Sequence, residues 1–292
     1  SMGRAALDLN IGVSALSQQI ARLENELAIR LLQRTSRGVT PTSAGLAFYS
    51  QAQLALRHAD DAILAAREAR LSGHVSVGMA PSTASVLGVP FINAMRESYP
   101  DVRLHLVESL SGNLERMINT RQLDLAIVFQ QEKILRWSAR PVLEERLFLI
   151  GTHALLAPLQ EDHISPDQLT SLPLIMPSQG HGLRGRLEAV CQQHHLSVEV
   201  VADIDGLALL MQAVRSGLGA TLQPGAAISH LDHQALRVID VVNPILSRPN
   251  FLVSLSDDEL TPAGLAARVI LSKVMRQLVE SDRWPGATLY AH

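Results

Sequence analysis

Cysteine is nearly absent from this chain of 292 residues, which has a single copy at position 191. One thiol excludes a disulfide framework and any four-cysteine zinc site, and it fits a reducing cytosol. Long apolar runs are also missing. The longest stretch with little charge, 204–231, still contains Asp205 and Arg215, so no membrane span is predicted. The first ten residues lack the basic and apolar runs of a signal peptide. We therefore expect a cytoplasmic protein without a membrane partner.

Charged residues are sparse, at 18%, and the net charge of −3 by itself argues against nucleic-acid binding. The distribution of charge changes that interpretation. Residues 1–72 hold eight arginines and six acids, a net charge of +2, whereas the remainder holds 17 bases and 22 acids. This asymmetry hints at one segment that faces DNA and another that does not. With 47% hydrophobic residues and this length, the chain is globular and suggests two domains or three modules.

A long helical pattern occupies 43–71. It begins at PTSAG, where Thr42 or Ser43 is a candidate N-cap, and Gly73 is a candidate stop. Small and apolar residues recur at alternating steps of three and four and form a heptad seam: Tyr49, Ala52, Leu56, Ala59, Ile63 and Ala66. A second copy of the helix is the simplest cover for this seam, so we infer a dimer. The alternative is a helix that packs on its own chain.

Residues 73–292 alternate between strand-like and helix-like segments. The strand candidates are HVSVGMA, VRLHLVES, LDLAIVF, RLFLIG, LPLIMPS, VEVVADI, GATLQP, LRVIDVV and FLVSLS; the helix candidates are roughly 84–98, 111–121, 182–195, 206–216 and 261–280. This alternation indicates mostly parallel sheets with helices on both faces. Nine strand candidates within a segment of about 220 residues are many for a single sheet. Two smaller α/β lobes are therefore favoured.

The first 42 residues contain two helical segments joined by Asn10-Ile11-Gly12. Such a pair is typical of a helix-turn-helix. One face of the second helix is apolar, and the opposite face carries Ser and Gln side chains that suit base edges in the major groove. A short hairpin with two arginines near Gly38 follows and is typical of a wing that touches phosphates or the minor groove. The alternative is a helix pair with a structural role.

The segment ALSQQIARLENELAIRLLQRTSRGVTPTSAG resembles the winged helix-turn-helix of LysR-type transcriptional regulators, and the likeness extends over the whole chain. It implies an α+β multidomain protein. A winged domain would span 1–42, a linker and dimerisation helix 43–72, and a two-lobed α/β effector domain of the type 2 periplasmic-binding-protein kind 73–292. Lobe I would comprise 73–149 and 250–292, and lobe II 150–249. The likeness also implies that the first helix of the winged domain is missing from this sequence.

Three departures from the family pattern bear on the DNA interface. Gly12-Val13-Ser14 stands where the family usually has Ser-Gln-Pro, so the helix lacks its usual side-chain N-cap. Gln18 stands where the family more often has Arg, which predicts a site preference of its own. The third departure is the absent first helix. We expect the following residues to contact DNA: Ser14, Ser17, Gln18, Arg22, Arg34 and Arg37.

The same resemblance places an effector pocket between the two lobes. Hydroxyls and free N–H groups at Ala80–Thr83, Ser109–Asn113 and Met176–Gly182 independently predict anion sites at helix N-termini. The candidate effector-binding residues are Ser82, Thr83, Ser111, Phe129, Ser178, Gln179, Gly180 and His181. Phe129 falls where some aromatic-acid sensors carry Arg, which weakens a benzoate-like assignment. Arg184 is a candidate for the missing positive charge, and its alternative is an ion pair with an acid of its own lobe.

Two further motifs are typical of a dinucleotide-binding site and a metal site, but the surrounding sequence does not support either one. Gly180 to Gly185 fits G-x-G-x-x-G, yet Pro177-Ser178-Gln179 separates it from the preceding strand and no other dinucleotide-binding context appears. Cys191, His194 and His195 share a helix face but have no further ligand cluster, so a buried cysteine beside surface histidines is favoured. We predict no metal, no cofactor and no catalytic residue.

These observations predict a transcriptional regulator that binds dyad-symmetric promoter DNA and senses a small organic anion, in particular a carboxylate. The partners expected from the resemblance are double-stranded DNA, the effector, further copies of the chain in a dimer of dimers, and RNA polymerase. The alternative is a solute-binding protein or enzyme with the same two-lobed fold, but neither needs a wing and a heptad helix.

Overall fold

The computed structural model describes residues 1–35, 38–67, 71–129, 137–179, 182–229, 231, 234–257 and 259–290. These residues form two compact units, 1–62 and 63–292. No helix among them is long and apolar enough to cross a membrane.

The first unit contains a helix pair, a hairpin and most of a long helix. Their bounds are α1 Met2–Asp8, α2 Val13–Leu27, β1 Leu32–Thr35, β2 Gly38–Pro41 and α3 Ser43–Arg67. Gly12 precedes α2 in an extended conformation and makes no side-chain cap, which confirms the predicted loss of the N-cap. Ala28 ends α2 in the left-handed region at φ 53°. The strands β1 and β2 pair antiparallel.

Glu24 joins α2 to the hairpin. Its carboxylate accepts the backbone N–H groups of Leu31 at 2.8 Å and Leu32 at 2.9 Å, and it pairs with Arg30 at 2.9 Å. The side chain is 6% exposed. These bonds, those from the two backbone amides above all, hold the pKa of Glu24 below its ordinary value.

The start of α3 is fixed by Thr42, whose hydroxyl accepts the N–H of Gly45 at 3.0 Å and donates to the carbonyl oxygen of Arg30 at 2.8 Å. Thr42 is therefore the N-cap, one of the two predicted candidates. Gly45 packs directly on the preceding chain, since a Cβ there would lie 2.0 Å from the carbonyl oxygen of Leu31.

The second unit contains strands and helices in alternation. Its strands are β3 Gly73–Met79, β4 Val102–Glu108, β5 Leu125–Val128, β6 Ser138–Thr152, β7 His163–Ile164, β8 Pro173–Met176, β9 Glu199–Asp203, β10 Thr221–Pro224, β11 Leu236–Val241, β12 Ser247–Ser254 and β13 Ala287–Leu289. Its α-helices are α4 Pro81–Ser98, α5 Ser111–Asn119, α6 Gly182–Gln193, α7 Leu207–Arg215 and α8 Pro262–Glu280, with 3-10 helices at Pro166–Ser171 and Gly225–Ile228.

The long strand β6 connects two lobes. Its first part pairs with β12 and β13, and from Leu147 onward it pairs with β10 and β11. One lobe contains β3, β4 and β5 with α4, α5 and α8; the other contains β7 to β11 with α6 and α7. This is the predicted two-lobed fold. The pairs made by β6 and by β12 are antiparallel, unlike the mostly parallel arrangement expected, because these strands run between the lobes in opposite directions.

Separate apolar clusters fill the two lobes. Leu114, Ile118, Leu123, Val128 and Val253 belong to one in the first lobe. Two clusters in the second lobe contain Leu149, Leu174 and Leu187, and Ile150, Leu210 and Val214, respectively. Each lobe therefore has apolar clusters of its own among the described residues, and β6 passes from one lobe to the other.

Candidate functional site

The outer face of α2 presents three of the predicted DNA contacts. Ser14, Gln18 and Arg22 are exposed at successive turns, whereas Leu16 on the opposite face is buried. Because residues four apart share a helix face, these polar side chains form one continuous strip. Arg22 pairs with Glu26 at 2.9 Å, and both side chains remain mostly exposed. Such surface pairs are weak, so Arg22 can exchange this partner for a phosphate.

Ser17 lies at the border of this strip. It is half-buried and lines a cavity with Ile20, Ala21 and residues of the hairpin. The remaining two predicted contacts are in the hairpin: the side chain of Arg34 and the whole of Arg37 lie outside the described residues.

A cleft between the lobes is built around the start of α4. Ala80, Pro81 and Ser82 line it, and no side chain caps the helix. Pro81 has no N–H, so the free donors of this turn are those of the next residues. Thr83 is fully buried behind the lining, and its hydroxyl has no partner among the described residues. The first turn therefore offers N–H groups and the positive end of a helix dipole to an anion.

Arg248, on the crossing strand β12, supplies the cation of the cleft. Its guanidinium is 5% exposed, donates to the Ser82 hydroxyl at 3.0 Å and stacks over the Phe129 ring at 3.7 Å. It also pairs with Glu145 at 2.8 Å. Burial lowers the pKa of Arg248 and Glu145 opposes that shift, but a guanidinium stays charged. Both Ser82 and Phe129, named from the sequence, line the cleft with Arg248.

Glu145 is the buried hub beneath Arg248. One of its oxygens accepts the N–H groups of Ala226 and Trp284 at 2.7 and 2.8 Å, and the other accepts from Arg248 at 2.9 Å. Because every contact comes from a donor, the buried carboxylate is well satisfied and fixes the orientation of the guanidinium. Arg248 and Glu145 were missed from the sequence. Both residues lie just before the apolar strand segments RLFLIG and FLVSLS, so the apolar pattern gave no signal for either of them.

The opposite wall of the cleft carries an acid. Asp205 lines it and accepts the backbone N–H and the hydroxyl of Ser178 at 2.9 and 2.8 Å. The other lining residues of the cleft are Leu110, Pro177, Leu183, Leu207, Leu210 and Gln223.

The other predicted pocket residues that the structure describes do not themselves line the cleft. Ser111 begins α5, next to the lining residue Leu110. Gln179 is exposed and is not part of the lining, while Gly180 and His181 lie outside the described residues. Ser178 takes part through Asp205 rather than by lining the cleft itself.

Arg184 has its charge satisfied within its own lobe. It pairs with Glu188 at 2.7 Å and Asp203 at 3.2 Å. The ion-pair alternative for this residue is therefore the one observed, and the cation of the cleft comes from Arg248 instead.

Cys191 belongs to the apolar core of the second lobe and is 7% exposed, while His194 and His195 are exposed. Burial raises the pKa of the Cys191 thiol. This arrangement is the buried cysteine beside surface histidines that the sequence favoured.

Each of the two units contains a segment that matches a known protein-family model. Residues 1–46 match the profile of bacterial regulatory helix-turn-helix proteins of the lysR family, and residues 68–276 match the LysR substrate binding domain. The chain belongs to the LysR family. Among the relatives of this LysR-family regulator is the nitrogen assimilation regulatory protein nac of Escherichia coli, 33% identical over 97% of this chain and 93% of the relative. The hydrogen peroxide-inducible genes activator of Haemophilus influenzae is 27% identical over 86% and 84%.

Solved structures of other proteins share the fold. A full-length OxyR variant from Pseudomonas aeruginosa superposes with a TM-score of 0.75, at 20% identity, over 100% of this chain and 94% of that one. Full-length BenM gives a TM-score of 0.62, at 21% identity, over 98% and 94%. By its two family matches, the chain is a ligand-responsive transcriptional regulator, with the helix-turn-helix in the first unit and the substrate-binding domain in the second.

Proposed function

We propose that this LysR-family regulator binds dyad-symmetric promoter DNA through the outer face of α2. The support is the exposed strip of Ser14, Gln18 and Arg22, with Ser17 at its border. Gln can bond adenine in bidentate fashion, Ser can contact either base type, and Arg neutralises phosphate or bonds guanine. The hairpin arginines, Arg34 and Arg37, complete the proposed interface through phosphates or the minor groove.

The proposed effector is a small organic acid held between the lobes. The observation that carries this proposal is the uncapped start of α4, where Ser82 faces the buried guanidinium of Arg248 at 3.0 Å. A guanidinium, a hydroxyl and helix N–H groups are the donors that bind a carboxylate. A ligand that touches both lobes can shift the regulator between two states only by binding one of them more tightly.

The proposed assembly is a dimer through α3, extended to a dimer of dimers. In the single chain, Tyr49 and Leu56 on the seam are 58% and 68% exposed, whereas Leu54, off the seam, is 8% exposed. The helix thus packs on its own unit by another face and leaves the seam for a partner. The side chains of Ile63 and Ala66, which continue the seam, lie outside the described residues. Contact with RNA polymerase and a cytoplasmic location stay predictions.

The experiment that tests this function starts with a thermal-shift screen of small organic acids on the full chain. The acid that raises Tm is then added in DNA footprinting on promoter fragments. We expect protection of two half-sites related by a dyad, with a pattern that changes on addition of the acid. A protein that binds an acid but protects no DNA would instead support the solute-binding alternative. Protection that no acid alters would contradict the effector proposal alone.

A further inference from the structure

A groove in the first lobe lies between α8 and the strands β6 and β12. It consists of two adjoining recesses of about 230 and 240 Å³, and Arg140, Leu252 and Ser272 line both of them. Each recess is on the order of ten times larger than the space that one water molecule needs, about 10–15 Å³. Among the described residues, none that lines this α8 groove also lines the cleft between the lobes. The α8 groove is therefore a separate cavity with room for a small molecule.

The walls of the α8 groove come from one helix face and from two paired strands. Residues four apart on a helix share a face, so Arg268, Ser272 and Arg276 project from one side of α8. Arg140 on β6 is directly opposite Leu252 on β12 in the antiparallel register, and such partners point to the same face of a sheet. Both sets of residues line the groove. Arginines from two elements far apart in sequence therefore converge on one cavity.

The lining of the α8 groove is basic. Among the described residues it contains no aspartate or glutamate, and its four cations are Arg140, Arg268, Lys273 and Arg276. Arg268 is balanced by Asp257 at 2.6 Å, outside the lining. The bond from Arg268 above all, and to a smaller extent the charge of Arg140, hold the pKa of Asp257 below its ordinary value. The uncompensated charge thus lies with the other three cations.

These three cations are available to a ligand. Arg140 and Lys273 are exposed and form no ion pair with any residue that the structure describes. Arg276 lies 3.9 Å from Glu280, and both side chains are more than half exposed. Exposed pairs of this kind are weak, so Arg276 can turn to an anion in the groove. All three cations line the same recess, the one of about 230 Å³.

The recess with these three cations also has an apolar surface. Its apolar lining residues are Pro141, Val142, Leu252 and Leu289. Tyr290 lines it as well, and its hydroxyl donates to Glu144, which is not part of the lining. Burial first, and then Glu144, raise the pKa of Tyr290 to about 12, so the phenol stays neutral. A ligand that fits this recess has a strongly anionic group and an organic part.

We propose that the α8 groove binds a small organic phosphate, a phosphomonoester. Its dianionic group lies among Arg140, Lys273 and Arg276, and its organic part lies against Leu252 and Leu289. A phosphomonoester carries a charge of about −1.5 to −2 at pH 7 and three acceptor oxygens, which suits three cations better than the single charge of a carboxylate does. Arg and Lys are both common phosphate-binding side chains.

Duplex DNA is the other source of phosphate for a regulator of this family. Its phosphodiesters carry one charge each and belong to a wide convex backbone. A recess of about 230 Å³ with partly apolar walls admits a free phosphomonoester instead. The groove is additional to the effector cleft, so the proposal does not depend on an organic acid there.

The test is calorimetric titration of the full-length protein with n-butyl phosphate, dibutyl phosphate and inorganic phosphate at about pH 7.5, above the second pKa of a phosphomonoester, which is about 6. We expect butyl phosphate to bind about tenfold more tightly than either of the others. Dibutyl phosphate lacks the second charge, and inorganic phosphate lacks the organic part. If either comparison ligand binds as tightly as butyl phosphate, or if butyl phosphate does not bind, the proposal is wrong.

Variants of α8 assign the binding to the groove. Lys273→Gln and Arg276→Gln each remove one cation from the lining, and both side chains are exposed, so the helix should stay folded. We expect each variant to bind butyl phosphate about tenfold more weakly, the effect of one charge-assisted hydrogen bond. Arg283→Gln is the matched control, because it removes the same charge from an exposed position just after α8 that does not line the groove. Unchanged binding in both groove variants, or an equal loss in Arg283→Gln, would overturn the placement of the phosphate.

Operator binding distinguishes the small ligand from DNA. In fluorescence anisotropy without butyl phosphate, Lys273→Gln and Arg276→Gln should bind operator DNA as tightly as the natural protein does. Weaker operator binding in these variants, together with an unchanged titration by butyl phosphate, would show that the groove contacts the DNA backbone and would overturn the proposal.

Discussion

At the scale of single residues, polar side chains on one helix of the first unit have opposite environments. Gln18 is exposed on α2, whereas Glu24, six residues later on the same helix, is buried and bonded to the hairpin. The amphipathic pattern of α2 predicts which residues face outward. It does not reveal that a buried face can include a carboxylate, since the partners of Glu24 are backbone amides of the following segment.

Gln18→Ala should weaken binding to the cognate operator by ~1–3 kcal/mol and leave binding to random DNA nearly unchanged, because a base contact carries sequence information. Fluorescence anisotropy on both DNAs at one salt concentration measures this. Gln19→Ala is the control, since Gln19 is also exposed but lies about 100° away around the helix. Equal losses on both DNAs would show that Gln18 is not a base contact.

Glu24→Gln should lower the Tm of the full chain at neutral pH, because it removes a carboxylate that is charged and stabilised in the folded state. The folded pKa of Glu24 is lowered, so its contribution is complete above the unfolded value of about 4.3 and is lost as pH falls through the folded pKa. The Tm difference from the natural protein should therefore shrink with acidification. A difference that stays constant between pH 7 and pH 3 would show that the charge is not responsible.

At the scale of elements, the start of α3 depends on a close backbone approach. Thr42 caps the helix and Gly45 lies against the carbonyl of Leu31, so the helix leaves the hairpin in one direction only. The strand β6 has the corresponding role in the second unit, because it changes partners at Leu147 and thereby positions Glu145 below the cleft.

Gly45→Ala should destabilise the first unit by ~1–3 kcal/mol, since its Cβ would overlap the Leu31 carbonyl oxygen and force the helix to shift. Urea unfolding followed by circular dichroism measures the loss, and hydrogen exchange of peptides from 1–46 assigns it to this unit. Gly3→Ala is the control: Gly3 has open space around its Cβ position, so α1 should gain up to about 1 kcal/mol. Similar effects of the two changes would contradict the role of the close approach.

At the scale of the whole molecule, net positive and net negative charge lie in different parts of the chain. The arginine-rich segment contains the helix-turn-helix and hairpin, and the acidic remainder contains the lobes. The net charge of −3 is thus the sum of +2 for residues 1–72 and −5 for the remainder. Both proposed DNA half-sites would be reached only by an assembly of at least two chains.

Leu56→Glu should convert the assembly to smaller species, because it places a charge on the exposed seam of α3 that a partner helix would bury. Sedimentation velocity of the full chain measures the change, and operator affinity should fall with it. Gln51→Glu introduces the same charge on an exposed position off the seam and should leave the assembly intact. An unchanged sedimentation coefficient for Leu56→Glu would mean that the chains associate elsewhere.

The sequence by itself determined the order of elements, because periodicity and turn residues act over a few neighbours. It predicted α2, α3, nine of the strands and the two-lobed fold, and it located Ser82 and Phe129 at the cleft. Only the tertiary structure decided which cation serves that cleft. Arg184 is nearer in sequence to Ser178, but it is paired within its lobe, while Arg248 reaches Ser82 across 166 positions of the chain. Such a contact depends on how β6 and β12 cross between the lobes, and no local pattern encodes it.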